Sequence, residues 1–342
     1  MRLVMKFGGA SVADAACIAQ VAEIAVSYLK QGREVVVVVS ALAGVTDDLI
    51  GLANRAEQGD LGAVIAGVKA LADRHRATVE QAVEPSEARE EAFEATERSL
   101  QELEKVLTGI AYLGELTPKS RDYVLSFGER LSAPVVSGAL ASRGVKSRAL
   151  TGAEAGIVTD SSYGEARPLI EVTRHRAGLK LNPLLEEGIT PVVTGFIAAN
   201  QEGAVTTLGR GGSDYSATIL GVALDADEVW LWTDVDGLMT ADPKLVPSAK
   251  TIPVLSFQEA AEMAIFGAKR MHPRALEPAM EHGIPVRVRN TFNPLNPGTL
   301  IAGEEQVRSE GVVKALTLIG NVALITVSGF GMVGTPGTAA KV

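Results

Sequence analysis

Five consecutive valines, Val35–Val39, constrain the fold of this chain more than any other feature of its sequence. A β-branched run without polar residues is typical of a parallel strand that is buried on both faces. Such strands are joined by helices, and the sequence alternates strand-like and helix-like segments, with glycine-rich turns at the strand ends. The pattern predicts an α/β fold with a mainly parallel sheet sandwiched by helices. Ligands of such folds bind beyond the carboxyl ends of the strands.

Short apolar runs and helical periodicity locate the predicted elements. The first strand is Arg2–Phe7, and the helix after it has apolar residues on one face and stops at Gly32. Thr117–Pro118 begins a helix that is predicted to run on through Leu131, and Ser256–Glu259 is a capping box. Further strands are predicted at 145–150, 191–194, 229–232 and 284–289.

The length of 342 residues is typical of about two domains. Residues 60–141 are predicted to be a largely helical subregion. Its first part, to about residue 110, is charged, has a helical pattern and contains no strand-like run. The character of the chain changes near residue 304, after which 312–318 and 322–327 are strand-like. We therefore expect a first domain over 1–303 and the start of a second over 304–342.

Composition excludes several classes of protein. The net charge is -9, from 32 Lys and Arg against 41 Asp and Glu, which does not favour nucleic acid or an anionic membrane as a partner. No apolar stretch approaches the roughly 20 residues of a membrane-spanning helix, and we expect no export signal. The single cysteine, Cys17, fits a reducing cytoplasm. If the ligands are anionic, the basic residues must be concentrated at one site, since the overall field would repel them.

A lysine followed by glycines stands at the end of the first predicted strand. Lys6 is followed after Phe7 by Gly8 and Gly9, and a helix begins just beyond. Glycines let backbone N–H groups approach an anion closely, and the start of a helix favours negative charge. A tight turn without a ligand is the alternative interpretation of this motif alone.

Leu208–Asp214 is the strongest local signal for function, because three glycines surround Arg210 in this segment. Ser213 or Asp214 can cap the helix predicted to follow, which would explain both residues without a ligand. A cap does not explain Arg210, whose guanidinium can hold a carboxylate or a phosphate through two parallel hydrogen bonds. The segment therefore predicts an anion-binding loop.

Two further loops carry charged residues. Thr233–Lys244 is rich in Asp and Gly, which are ordinary turn formers, and it lacks the glutamate that ends a calcium loop. Phe266–Arg270 contains two cations, which a solvated basic turn explains better from the motif alone. No Gly-Lys dipeptide exists for a Walker A loop, and the four histidines have no metal-ligand spacing, so no metal-ligating residues are predicted.

Taken together, seven segments resemble the aspartokinases of the amino-acid kinase family, in the family's order. Each segment is weak alone, but seven in register across most of residues 1–300 are specific. The segments are Lys6–Asp14, Val39–Asp47, Ser126–Ser132, Thr194–Ile197, Thr207–Tyr215, Thr233–Gly237 and Phe266–Lys269. The resemblance implies a kinase catalytic domain over 1–303. Residues 312–342 are similar to the start of the family's ACT regulatory region, so 304–342 is expected to be an incomplete ACT-like segment.

The resemblance implies ATP-dependent phosphorylation, with Mg²⁺, of the side-chain carboxylate of L-aspartate. The product would be 4-phospho-L-aspartate, on the route to lysine, threonine and methionine. A carboxyl group with a pKa of about 4 is already ionised at neutral pH, so the reaction needs no general base. It requires that two anions be brought together and that charge on the transferring phosphoryl group be neutralised. Lysine side chains and backbone N–H groups suit that task.

The resemblance also assigns roles to individual residues. Lys6 is implied to stabilise the phosphoryl group, and Asp214 to organise that lysine. Arg210 is implied to hold the α-carboxylate of aspartate and Glu129 its α-ammonium group. The residues implied to complete the amino-acid pocket are Ser40, Thr46, Phe196, Gly211, Gly212 and Ser213. The residues implied to bind the nucleotide are Lys6, Gly8, Gly9, Thr233, Asp234, Met239, Lys244, Lys269 and Arg270, with Gly8 and Gly9 also assisting catalysis.

The chain departs from the family's usual residues at Ala10, Met239 and Ile265, but none of these departures removes a charge that the mechanism needs. An incomplete ACT-like segment leads us to expect no feedback inhibition by lysine or threonine through an intact effector site. A cytoplasmic homodimer or higher homo-oligomer is expected by analogy with the family.

Two alternatives stay open from the sequence. One is a sister kinase that acts on glutamate or N-acetylglutamate, and the other is a catalytically silent effector-binding subunit. Ser126–Glu129 together with Thr207–Asp214 favours aspartate. A silent subunit could lose Lys6 or Asp214 without penalty, and this chain has both.

Overall fold

A computed structural model describes residues 1–265, 272–307 and 313–318 of the chain. Strands and helices alternate along most of this length. The strands are β1 (Arg2–Phe7), β2 (Glu34–Val39), β3 (Ser147–Leu150), β4 (Val158–Thr159), β5 (Thr190–Thr194), β6 (Ile197–Asn200), β7 (Val205–Thr207), β8 (Glu228–Thr233), β9 (Val254–Ser256), β10 (Val286–Asn290) and β11 (Thr299–Ala302). The helices are α1 (Ala15–Leu29), α2 (Val45–Glu57), α3 (Leu61–Ala82), α4 (Glu87–Leu113), α5 (Pro118–Leu125), α6 (Phe127–Ala141), α7 (Ile170–Glu186), α8 (Gly212–Ala223), α9 (Phe257–Ile265) and α10 (Glu277–Glu281).

The central sheet has eight strands in the order β3-β5-β2-β1-β8-β10-β11-β9. Neighbouring strands are parallel throughout, except for the antiparallel pair of β10 and β11. The predicted mainly parallel sheet is therefore confirmed. A second sheet of three strands, in the order β4-β6-β7, leads from β7 into the Arg210 loop.

Alternate residues of the central strands enter two different cores, as the two-residue period of a strand requires. Val36 and Val38 of β2 pack into one apolar cluster with α7 and α8. Val35 and Val37 pack into another with α1 and α6. All five valines of the run are fully buried, which confirms a sheet covered by helices on both faces.

A third apolar cluster is formed by residues of α2 to α6 and of the loop that precedes α2. The helix predicted to run from Pro118 through Leu131 is wrong in one respect, because α5 ends at Leu125 and α6 begins at Phe127. The hydroxyl of Ser126 donates to the carbonyl oxygen of Tyr123 at 2.7 Å and competes with the helical backbone pattern at the junction.

The carboxyl ends of four strands lie along one edge of the sheet. Strands β2, β1 and β8 are adjacent and parallel, and β5 is parallel to β2. Lys6 of β1 is therefore flanked by Val38 of β2 and Leu231 of β8. The loops that follow these strands meet at this edge, which is where an α/β sheet binds its ligands.

The segment 313–318 forms no strand, contrary to the strand predicted over 312–318. The N–H of Leu316 donates to the carbonyl oxygen of Thr240 at 2.8 Å. The strand predicted at 322–327 and most of the ACT-like segment lie outside the described residues. Within the described part of the chain, every helix is too short or too polar to cross a membrane.

Candidate active site

A cavity of about 630 Å³ opens at the carboxyl edge of the sheet. Its walls come from the loops after β1, β2, β5 and β7 and from α5 and α6. Most residues predicted from sequence to bind substrate or to act in catalysis lie here, although they are far apart in the chain. They are Lys6, Gly9, Ser40, Thr46, Glu129, Phe196, Arg210, Gly211, Gly212, Ser213 and Asp214.

A smaller cavity of about 40 Å³ shares Lys6 and Asp214 with the larger one. It extends along β8 to Trp232 and Thr233. Thr233 is one of the residues predicted to bind the nucleotide, so this side of Lys6 is a candidate for the nucleotide. Lys6 and Asp214 stand at the boundary between the two spaces.

Lys6 and Asp214 form a buried ion pair. The Nζ atom of Lys6 lies 2.6 Å from Oδ1 of Asp214, and the two side chains are only 12% and 11% exposed. Lys6 is supplied by the central strand β1 and Asp214 by the first turn of α8, where the helix dipole favours a negative group. An added Cβ at Gly8 would lie 3.3 Å from Nζ, so glycine leaves room for the lysine.

The backbone N–H of Gly8 is bonded within the protein. Its N–H donates to the carbonyl oxygen of Trp232 at 3.2 Å, which ties the loop after β1 to the end of β8. Gly8 therefore shapes the loop in this structure, and its N–H is directed at the protein rather than into the cavity. Gly9 lines the cavity.

Glu129 is a buried carboxyl group in the first turn of α6. Its Oε1 atom accepts a hydrogen bond from the backbone N–H of Ala41 at 3.2 Å, and its Oε2 atom has no hydrogen-bond partner among the described residues. Burial raises the pKa of Glu129 to about 8, against the opposing effects of the Ala41 hydrogen bond and the charge of Lys6. A buried acceptor without a partner is costly, and a cationic group in the cavity would satisfy it.

The Arg210 loop owes its shape to glycines in the left-handed region. Gly209 has φ +74 and Gly211 has φ +72, on either side of Arg210. Helix α8 begins at Gly212 with Gly211 as its N-cap, and no side chain caps it. The expectation that Ser213 or Asp214 caps this helix is wrong, because the left-handed glycine starts the helix earlier. Both residues lie in the first turn instead and line the cavity.

Phe196 has a strained backbone at the wall of the cavity. Its φ is 65, in the left-handed region that non-glycine residues avoid. Its N–H donates to Oγ of Ser216 at 2.9 Å, and an added Cβ at Gly212 would lie 2.7 Å from its ring. Such strain persists where the surrounding structure determines it and clusters at binding sites.

Asp122 and Thr207 line the cavity but were not predicted from the sequence. Both Asp122 and Glu129 belong to helices, and a separation of seven residues corresponds to about two helical turns. Because one helix was predicted over this segment, that spacing would have placed Asp122 on the same helix face as Glu129, and this was the signal in the sequence for Asp122. Arg121, next to Asp122, adds a further cation to the wall.

The remaining nucleotide predictions are only partly located. Thr233 donates from Oγ1 to Asp234 at 3.0 Å, directly after β8. Met239 and Lys244 follow on the same loop and line neither of these two cavities. Lys269 and Arg270 lie outside the described residues. Among the residues that the structure describes, no group of three His, Cys, Asp or Glu side chains is placed to hold a metal ion.

The arrangement agrees with the chain's similarity to known proteins. The model of the amino acid kinase family matches residues 1–290, which is most of the sequence. The chain belongs to the amino acid kinase family. Its membership accounts for the parallel sheet and for a ligand cavity at the carboxyl ends of the strands.

Individual relatives in this family are aspartokinases. The chain is 36% identical to chloroplastic aspartokinase 1 of Arabidopsis thaliana over 351 residues, which cover 99% of the chain and 58% of that protein. It is also 36% identical to lysine-sensitive aspartokinase 3 of Escherichia coli, covering 72% of it. The chain thus spans less than two thirds of the plant relative. Its similarity to both aspartokinases extends over 99% of the chain.

Solved aspartokinase structures are similar in fold. Escherichia coli aspartokinase III in complex with aspartate and ADP superposes with a TM-score of 0.78 at 36% identity, covering 89% of this chain and 65% of that one. The same enzyme in complex with lysine and aspartate gives a TM-score of 0.79 at 35% identity.

Proposed function

We propose that this chain is an aspartokinase, which transfers a phosphoryl group from ATP to the side-chain carboxylate of L-aspartate. The product is 4-phospho-L-aspartate, a precursor of lysine, threonine and methionine. The observation that carries the proposal is the unpartnered Oε2 atom of Glu129, in one cavity with Arg210 and Lys6. An α-amino acid with a second carboxylate supplies one group for each of these three side chains.

Binding of the amino acid follows from the charges on the cavity wall. The α-ammonium group pairs with Glu129, and the α-carboxylate pairs with Arg210 through charge-assisted hydrogen bonds. Ser40, Thr46, Phe196, Gly211, Gly212 and Ser213 complete the pocket. Fixing both ends of the α-carbon leaves the side-chain carboxylate as the only acceptor that can reach Lys6.

Phosphoryl transfer needs positive charge at the point where the two anions meet. Lys6 stands at the boundary of the two cavities, so it faces the acceptor on one side and the nucleotide on the other. The N-terminus of α8 adds a favourable dipole. Asp214 holds the ammonium group of Lys6 in place through the 2.6 Å ion pair.

Nucleotide binding extends the proposal to the loop after β8. Thr233, Asp234, Met239 and Lys244 belong to this loop, and Lys269 and Arg270 are retained as nucleotide ligands from the family resemblance. Mg²⁺ is usually held by nucleotide phosphates together with one or two carboxylates. Asp214 fits that requirement, and the ion would neutralise charge on the phosphates.

The alternatives are less consistent with the cavity. N-acetylglutamate has no ammonium group and would leave the carboxyl group of Glu129 without a cation. Glutamate is longer by one methylene group, and the hydroxamate assay distinguishes it from aspartate. A silent effector-binding subunit would not require a buried ion pair between Lys6 and Asp214.

We further propose a homodimer in the cytoplasm, on the strength of the family resemblance. Light scattering during size-exclusion chromatography is expected to give about twice the 35.7 kDa of the chain. A monomer at micromolar concentration would contradict this part of the proposal.

A hydroxamate assay with Mg-ATP tests the activity, because hydroxylamine traps an acyl phosphate directly. We expect hydroxamate with L-aspartate and little with L-glutamate or N-acetylated acids. Turnover of glutamate without turnover of aspartate would replace the substrate. Absence of product with every acid would favour the silent subunit.

A further inference from the structure

We propose that Asp122 is a positioning residue that sets the separation between Glu129 and Arg210. The inference rests on the proposed function, because these two side chains are the ones assigned to the ammonium and carboxylate ends of the amino acid. Asp122 would thereby determine how well the cavity fits an α-amino acid, without touching the reacting atoms.

The carboxylate of Asp122 joins three segments of the chain. It is 2% exposed and accepts hydrogen bonds from three donors. Oδ2 accepts from the N–H of Gly164 at 3.0 Å and from the N–H of Thr207 at 2.9 Å. Oδ1 accepts from the hydroxyl of Thr207 at 2.8 Å. Hydrogen bonds to a charged acceptor are the stronger kind, so the junction is a firm one.

Two of the three segments joined at Asp122 lead directly to a substrate-binding group. Asp122 belongs to α5, and the chain continues through Ser126 into the first turn of α6, where Glu129 lies. Thr207 ends β7, and Arg210 follows in the next loop. The hydrogen bonds between Asp122 and Thr207 therefore fix the element that carries one clamp against the element that carries the other.

The Gly164 loop supports the Arg210 loop from outside. An added Cβ at Gly209 would lie 3.0 Å from Glu165 and 3.1 Å from the carbonyl oxygen of Gly164, so the two loops are in close contact. The N–H of Ala166 donates to the carbonyl oxygen of Thr207 at 2.9 Å. By holding Gly164, Asp122 also holds the segment against which the Arg210 loop packs.

The strands on the nucleotide side of the site are not part of this junction. Lys6 and Thr233 are supplied by the adjacent central strands β1 and β8, which pair through backbone hydrogen bonds. A loosened junction should therefore weaken binding of the amino acid and leave binding of the nucleotide unchanged. A residue that merely supports the fold would affect both substrates.

Neighbouring threonines of β7 give a matched test. Thr207→Val removes the hydroxyl bonded to Asp122, whereas Thr206→Val removes a hydroxyl that lies 2.7 Å from Oγ1 of Thr159 instead. Both side chains are buried to 1% exposure or less. Steady-state kinetics and calorimetric titration with aspartate would be compared for the two variants and for Asp122→Asn.

We expect Thr207→Val to raise KM and Kd for aspartate by about tenfold, the effect of losing one hydrogen bond to a charged group. Asp122→Asn should raise them less, because its amide oxygen can accept from both backbone N–H groups and its NH2 group can donate to Oγ1 of Thr207, so that only the charge is lost. KM for ATP should stay within about twofold, and Thr206→Val should match the wild type.

Equal aspartate constants in Thr207→Val and Thr206→Val, or a parallel rise in KM for ATP, would overturn the role of Asp122. Thr207→Val keeps the test decisive if Asp122→Asn does not fold. A wild-type protein that neither binds nor phosphorylates aspartate would contradict the proposed function and this inference together. Normal wild-type turnover with unchanged variants would overturn the inference alone.

Discussion

Burial of the Glu129 carboxyl group lowers the stability of the protein but favours the binding of a cationic ligand group. A buried carboxyl group with an unpartnered oxygen lowers the stability of the folded protein, because desolvation disfavours its charged form. The same group gains a strong partner when an ammonium group enters the cavity. The side chain is therefore best explained by its ligand rather than by the fold.

Aspartate binding should depend on pH through Glu129. Its pKa of about 8 means that the carboxyl group is mostly protonated at pH 6 to 7. An ammonium group favours the ionised form, so binding releases a proton and the affinity for aspartate rises with pH up to about 8. Titration calorimetry in buffers of different ionisation enthalpy would measure the proton release.

Glu129→Gln is the control for this prediction. In the unbound wild type, the folded protein holds a proton that the unfolded chain has lost between the ordinary pKa of 4.5 and about 8, so this group's contribution to stability falls as pH rises across that window. The glutamine variant should lose aspartate binding and that part of the pH dependence of unfolding. Unchanged proton release in the variant would rule out Glu129 as the group responsible.

Lys6 is the second residue whose loss should be diagnostic. Lys6→Met removes the cation between acceptor and nucleotide and should lower kcat by at least about a hundredfold, as for one preorganised charge stabiliser. It also leaves Asp214 buried without its ion-pair partner, so folding must be checked by circular dichroism. Lys146→Met, at an exposed lysine before β3, should have the wild-type kcat. Near-normal kcat in Lys6→Met would exclude its proposed role.

At the scale of elements, the start of α8 is a tightly packed junction. Gly211 has φ +72, and an added Cβ would lie 2.7 Å from Cβ of His272. Gly188 has nearly the same φ, +71, with nothing within 4 Å of an added Cβ. The two glycines therefore share a backbone requirement and differ in their surroundings.

Gly211→Ala should raise KM for aspartate, because the Arg210 loop must shift to relieve the contact with His272. Gly188→Ala should cost about 1 kcal/mol of stability, the ordinary penalty for a left-handed alanine, and should leave KM unchanged. Equal KM values in the two variants would show that the Arg210 loop tolerates the shift. Urea unfolding and aspartate kinetics on both proteins measure the effects.

The elements that the sequence predicts well are those with a strong local pattern. Val35–Val39 predicts β2 because a run of valines has few alternatives to a buried strand. The break at Ser126 and the N-cap at Gly211 were not predicted, because both depend on backbone conformation. Asp122 was missed for a different reason: its partners Gly164 and Thr207 come from segments distant in sequence, and only the folded chain brings them together.

For the whole molecule, the charge distribution resolves the difficulty raised by a net charge of -9. Lys6, Arg121 and Arg210 all line the cavity of about 630 Å³, although they come from three distant parts of the chain. Four carboxyl groups, those of Asp47, Asp122, Glu129 and Asp214, line the same cavity, so anionic reactants are attracted by these individual cations rather than by a net positive charge of the cavity. The family resemblance anticipated this convergence for Lys6 and Arg210, whereas Arg121 was found only in the structure.

A crystal structure of the protein with aspartate and ADP tests the central claim most directly. We expect the α-ammonium group within hydrogen-bond distance of Oε2 of Glu129, the α-carboxylate on Arg210, and the side-chain carboxylate directed towards Lys6. Aspartate bound outside this cavity, or bound in it with its ammonium group away from Glu129, would contradict the account.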